Sequence, residues 1–148
     1  MRLESLQPES ESDFYRSIAA RTFGRIFWER VEPADESGFP DTYFVIAEEQ
    51  SDVVFIEEEG TVELKYSETL EPNLRNLARG TQKAGLLNYH AAGGKRRFAL
   101  CYCKGRVYLW NTQDYSIAIR GDGRNWTSSK MLDDPEFTEW LVRELTDK

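Results

Sequence analysis

Residues 38–66 read GFPDTYFVIAEEQSDVVFIEEEGTVELKY. Three runs rich in aromatic and β-branched residues, Thr42 to Ala47, Val53 to Glu57 and Thr61 to Tyr66, predict three strands. Glu48 to Asp52 and Glu58 to Gly60 read as the turns between them, so tight that the strands are expected to pair as an antiparallel meander. Asp41 stands at the mouth of the first strand, and Glu63 and Lys65 lie two apart on the third, which sends both side chains to one face. Two carboxylates can hold Mg²⁺ through oxygen, the ligand type that ion prefers, and a lysine beside them adds a mobile positive charge. That set is the equipment for metal-assisted phosphodiester hydrolysis.

Working outward, Glu11-Ser12-Asp13 is a helix start signal for a helix from about Ser12 to Glu29, with Phe14, Ile18, Phe23 and Ile26 as its apolar face. Pro33 to Gly38 reads as a loop. Downstream, Ser67 to Gly80 is irregular, with a helical turn around Leu74 to Ala78. A helix is expected to begin near Thr81, whose hydroxyl can cap it, and to stop at Gly93-Gly94. Phe98 to Cys103 and Val107 to Asn111 predict a hairpin across Lys104-Gly105-Arg106. Tyr115 to Ile119 is a candidate short strand and Gly121-Asp122-Gly123 a turn. A last helix is expected from Asp134-Pro135, with Phe137, Leu141 and Leu145 on its core face. The predicted order is αβββαββα: an α/β (α+β) domain whose mixed central sheet is flanked by helices.

The chain has 148 residues, 40% of them hydrophobic and 13% aromatic, which suits one globular domain and excludes a disordered chain. Without a run of about 18 apolar residues no transmembrane helix is expected. The polar, acidic start predicts no signal peptide, so a cytoplasmic, intracellular protein with no membrane partner is expected. Cys101 and Cys103 form a Cys-x-Cys pair, but His90 is the sole histidine and no further thiol completes a zinc site, so buried structural thiols are expected.

The net charge of −7 argues at first against a nucleic-acid partner. Its distribution argues the other way. From Pro72 to Gln113 there is no acid in a chain that holds 26, and there are eight bases: Arg75, Arg79, Lys83, Lys95, Arg96, Arg97, Lys104 and Arg106. A segregated basic face of this kind fits a phosphate backbone.

The initial helix, the Gly38-Phe39-Pro40-Asp41 stretch, the strand carrying Val62-Glu63-Leu64-Lys65, the helix opening with Gln82 and the strand pair after Ala91-Ala92-Gly93-Gly94 together resemble the PD-(D/E)xK nuclease superfamily. The match lies nearest its VRR-NUC, Holliday-junction-resolvase and phage-type endonuclease branch. It spans about residues 11–111, leaving 112–148 as a C-terminal extension. The resemblance implies a restriction-endonuclease-like core, with Asp41 and Glu63 as ligands of Mg²⁺ (or Mn²⁺) and the Leu64 backbone carbonyl as a further ligand. Lys65 would orient or activate the attacking water, Gln82 would hydrogen-bond near it, and Glu11 would be an extra acidic ligand, in competition with Glu9, Asp13 and Glu29. It implies cutting of branched or structured DNA by a homodimer, in the host cell of a phage where the protein is phage-borne. DNA would be held by Arg75, Arg79, Lys83, Lys95, Arg96 and Arg97, with Arg120, Arg124 and Lys130 extending the path.

Each residue also has a purely structural reading. Asp41 can cap a turn after proline, and Glu63 and Lys65 can be a solvated strand face with a weak ion pair. Two alternatives stay open. The 22-residue gap from Asp41 to Glu63 contains Glu57, a rival for the ligand position. The chain could also be a catalytically inactive nuclease-fold module that binds DNA or a partner protein.

Overall fold

Ser10 accepts a hydrogen bond from the Asp13 amide and so caps the first helix, α1 (Glu11–Arg21), whose first turn carries Glu11 and Asp13 at the end where acids are favoured. The computed structural model describes residues 7–30, 42–50, 53–68, 97–111 and 126–146, with only the backbone course of 48–50, 53–57 and 97. Two helices and one six-stranded mixed sheet make up this part of the chain, an α+β arrangement.

The helix ends earlier than the apolar spacing predicts. Thr22 is fully buried, its hydroxyl donates to the Ile18 carbonyl at 2.8 Å, and it accepts the Trp28 indole N–H at 2.8 Å. Gly24 follows at φ +89°, a conformation open to glycine, and reverses the chain. The expected helix therefore gives way to strand β1 (Ile26–Arg30), where Ile26 and Trp28 point inward and Phe27 and Glu29 outward with a period of two. Phe23, assigned by spacing to the core face, is 90% exposed in this turn.

Strand β2 (Thr42–Gln50) pairs antiparallel with β1 and with β3 (Val53–Ser67). The predicted turn at Glu58 to Gly60 does not form. Those residues continue β3 as one 15-residue strand, and Gly60 lies opposite Phe44. The ladder accommodates the length with a bulge: Ile46 pairs with Glu58 and Ala47 with Ile56, leaving Glu57 as the extra residue.

Strand β4 (Arg97–Cys103) runs parallel to β3, and β5 (Arg106–Asn111) returns antiparallel beside it, the hairpin expected from sequence. Lys104 and Gly105 form its turn at φ 48° and 90°, the positive pair a two-residue turn demands. A Cβ on Gly105 would also meet the Met131 methyl at 3.0 Å. Strand β6 (Ser128–Met131), which the sequence did not suggest, adds to β5 and is tied to it by the Arg106–Ser129 hydrogen bond. The last helix, α2 (Phe137–Thr146), starts slightly after Pro135 and buries Phe137, Leu141 and Leu145 completely. The expected helical turn at 74–78, the helix from Thr81 and the strand at 115–119 lie outside the described residues.

Both helices pack on one face of the sheet. Phe14 and Ile18 of α1 and Leu141 of α2 meet Phe44, Leu64, Leu100 and Leu109 in a single core, each large side chain contributing about 1.5–3 kcal/mol by leaving water. Glu63, Lys65, Cys101 and Trp110 belong to the opposite face by alternation. Among the described residues no helix is long and apolar enough to cross a membrane.

Candidate functional site

Because β3 and β4 run parallel, Glu63 lies beside Ala99 and Lys65 beside Cys101, two small neighbours that leave room for longer side chains. The Lys65 ammonium stands 3.9 Å from the Glu63 carboxylate, with the two side chains only 12% and 2% exposed. This is an ion pair beyond hydrogen-bond length, sunk in the interior of the sheet. The solvated strand face considered from sequence is excluded by that burial.

The register also bears on the rivalry between Glu57 and Glu63. Thr42, the first residue of β2, pairs with Val62, the immediate neighbour of Glu63. Glu57 sits at the bulge six residues from Glu63, roughly 20 Å along the strand. The start of β2 therefore meets β3 beside Glu63.

Around the pair, Cys101 is fully buried and its thiol is pushed well up, first by burial and then by Cys103. The Lys65 charge opposes this shift and the Glu11 charge adds to it, so both groups act on the same thiol. Cys103 is raised by burial as well, with Lys104 opposing. Both cysteines are buried thiols outside any disulfide.

Glu11 opens α1, and its carboxylate lies 3.9 Å from the Arg30 guanidinium at the end of β1. Arg30 pairs with Thr42 in the ladder, so Arg30, Thr42 and Val62 form one row across three strands. Leu64 stands in the β3–β4 ladder opposite Leu100 with its side chain in the core. Arg97 opens β4 opposite Thr61. Asp41, Gln82, Arg75, Arg79, Lys83, Lys95 and Arg96 lie outside the described residues, as do His90, Arg120 and Arg124. Lys130 is engaged by Glu136 at 3.7 Å and Asp134 at 4.0 Å. Among the described residues no group of three or more His, Cys, Asp or Glu is gathered to hold a metal ion.

Helical spacing carried through Ile26 masks the strand that ends at Arg30. The alternation in Ile26-Phe27-Trp28-Glu29-Arg30 was the available signal. Lys104 and Arg106 fall at the same end of the sheet as Lys65, since Ser67 pairs with Cys103 and Cys103 with Arg106.

No family model matches the chain, and no curated protein or solved structure matches it.

Proposed function

We propose that the protein is a Mg²⁺-dependent endodeoxyribonuclease of the PD-(D/E)xK type, acting on branched or structured DNA as a homodimer. One observation carries the reading. Glu63 and Lys65 stand side by side on β3, next to the residue where β2 begins, and Asp41 is joined to that residue by one peptide bond. The element order supports it too: a helix, a three-strand antiparallel meander and a fourth strand returning parallel to the third suit a restriction-endonuclease-like core.

The donor set fits a hard divalent cation, since a carboxylate as buried as Glu63 offers oxygen in an enclosed place where positive charge is favoured. Asp41, Glu63 and the Leu64 carbonyl would hold Mg²⁺ or Mn²⁺, with Glu11 as a further ligand. What the bound ion supplies is charge neutralisation at the scissile phosphate. Lys65 donates to a phosphate oxygen or to the attacking water and stabilises the negative charge that develops there. Water oxygen bonds to phosphorus and releases a proton to solvent, the bond to the leaving sugar oxygen breaks, and that oxygen takes up a proton from solvent. Gln82 helps to orient the water. The acid-free 72–113 segment, which includes exposed Lys104, contacts the flanking backbone, and such contacts carry little sequence information.

The test is incubation of the full chain with linear, flapped and four-way-junction DNA, with Mg²⁺, with Mn²⁺ and with chelator. Metal-dependent cutting that is lost in Asp41→Ala and Lys65→Ala supports the reading. The low exposure of Glu63 and Lys65 favours one other reading, a nuclease-fold module that binds without cutting. DNA binding with no cleavage under any metal condition would establish that reading instead.

A further inference from the structure

Tyr108 and Trp126 form an aromatic pair on the same face of the sheet as Glu63 and Lys65. Val107 and Leu109 of β5 belong to the helix-covered core, so Tyr108 between them points the other way. Leu64 of β3 is in that core too, which puts Lys65 on the Tyr108 side. The register sets both in one row, since Lys65 pairs with Cys101 and Cys101 with Tyr108. The two strands lie two spacings apart, about 10 Å, roughly the rise of three stacked nucleotides.

Trp126, just before β6, brings its ring centroid to 4.9 Å from that of Tyr108, tilted by 43°. Both residues are half-buried, while Trp110, which also touches Trp126, is fully buried. None of the three belongs to the hydrophobic core on the helix side. The pair is thus anchored in the fold and still keeps part of its aromatic surface open. Cations adjoin it. Arg106 donates to the Ser129 hydroxyl at 3.1 Å, and Ser129 is the ladder partner of Tyr108, so the guanidinium is held beside the rings. From Arg97 to Asn111 the hairpin carries Arg97, Lys104 and Arg106 and no acid.

We infer that Tyr108 and Trp126 are a stacking platform for an unpaired nucleobase, with Arg106 facing the phosphate of the same strand. Its place beside a scissile phosphate rests on the proposed nuclease site. The platform gives that site a substrate class, DNA with a single-stranded segment within about three nucleotides of the cut. Stacking on a ring asks for no particular base, because every base has a π-face. A blunt duplex offers its backbone to the cations, but its bases are already stacked on one another.

The experiment is titration of the full chain with oligothymidylate and with blunt duplex DNA, in chelator and at one fixed salt concentration, followed by tryptophan fluorescence. The unmodified chain is expected to bind oligothymidylate with quenching. Trp126→Leu and Tyr108→Leu should each weaken that binding about tenfold, the scale of losing one stacked base. Duplex affinity should stay within about twofold, since the backbone contacts are untouched. Trp126→Phe keeps a π-face and should restore most of the loss. Equal losses for both ligands, or no rescue by phenylalanine, would mark a structural role and overturn the inference. Oligothymidylate binding that leaves the fluorescence of the unmodified chain unmoved overturns it without any variant. The two readings fail separately. Selective single-strand binding with no cleavage once Mg²⁺ or Mn²⁺ is added overturns the nuclease reading alone. Metal-dependent cutting by a chain without the single-strand preference overturns the platform alone.

Discussion

The first half of β3, Val53 to Glu59, and its second half, Thr61 to Ser67, form one continuous strand in two kinds of sheet. The first half is paired with β2 across a bulge. No Lys or Arg occurs from Val31 to Leu64, so the acids of this ribbon face no base of their own stretch. The second half has β4 alongside in parallel, and Val62, Glu63 and Leu64 are buried on both faces of the sheet, as parallel strands usually are. Glu59 and Glu63 share a face by parity. Glu59 is exposed and accepts the Tyr43 hydroxyl, whereas Glu63 is shut in beside Lys65. The same residue type is solvated at one end of the strand and enclosed beside a lysine at the other. What differs is the neighbouring strand.

The sharpest way to break this comparison is to neutralise each glutamate in turn. Glu63→Gln and Lys65→Ala are expected to lower the initial rate of flapped-DNA cleavage by about a thousandfold, the scale of losing a charge-stabilising group. Glu59→Gln should leave the rate within about twofold. Equal losses at both positions would mean that the two halves do not differ in function.

Stability should separate the halves next. Lys65→Met removes the near neighbour of a buried carboxylate and is expected to cost about 3 kcal/mol in urea denaturation. Glu59→Gln, at an exposed position, should stay within about 0.5 kcal/mol. Adding Glu63→Gln to Lys65→Met should restore much of the loss, because the buried carboxylate charge is then removed along with the ammonium. A double variant as unstable as Lys65→Met would point to lost packing of the lysine stem instead.

These contrasts also mark what was legible in the residues. The shared face of Glu63 and Lys65 follows from strand alternation, a local rule, and both side chains meet as expected. Their burial was not legible, because it depends on β4 arriving from some thirty residues downstream. The end of α1 was misread for a similar reason. Ile26 continues the helical spacing of Phe14 and Ile18, while the Trp28 to Thr22 hydrogen bond that holds the turn is a tertiary contact. Glu58 to Gly60 resembled a turn because glycine follows charge, yet pairing with Phe44, Val45 and Ile46 carries the strand through. Strand β6 has little β propensity in Ser128-Ser129-Lys130-Met131 and is recruited by the open edge of β5. The candidate site was thus read from short-range periodicity, and its surroundings were not.

Thiol reactivity tests the enclosure of the second half. Cys101 and Cys103, paired with Lys65 and Ser67, are both raised by burial, which keeps them as neutral thiols. The thiolate is the reacting species, so a disulfide reagent at pH 8 should modify the native chain more than about tenfold slower than the urea-unfolded chain. Reaction at the unfolded rate would show that this end of the sheet opens freely.

The smallest effect belongs to the first half, at Tyr43. Its hydroxyl donates to Glu59 at 2.5 Å, and that hydrogen bond, followed by desolvation and the nearby carboxylate charges, raises the phenol above its ordinary value of 10. The fold binds this proton more tightly than the unfolded chain does. Whatever stability the bond contributes is therefore fully present below pH 10 and is lost as pH rises through the raised folded value. Following phenolate absorbance during alkaline titration should show one tyrosine shifted down in Glu59→Gln, toward its ordinary value. The contact is exposed, so the stability change should be slight even where the spectral shift is clear. An unchanged titration curve would mean that Glu59 does not engage Tyr43 in solution, and the contrast between the two ends of β3 would then rest on exposure and not on this contact.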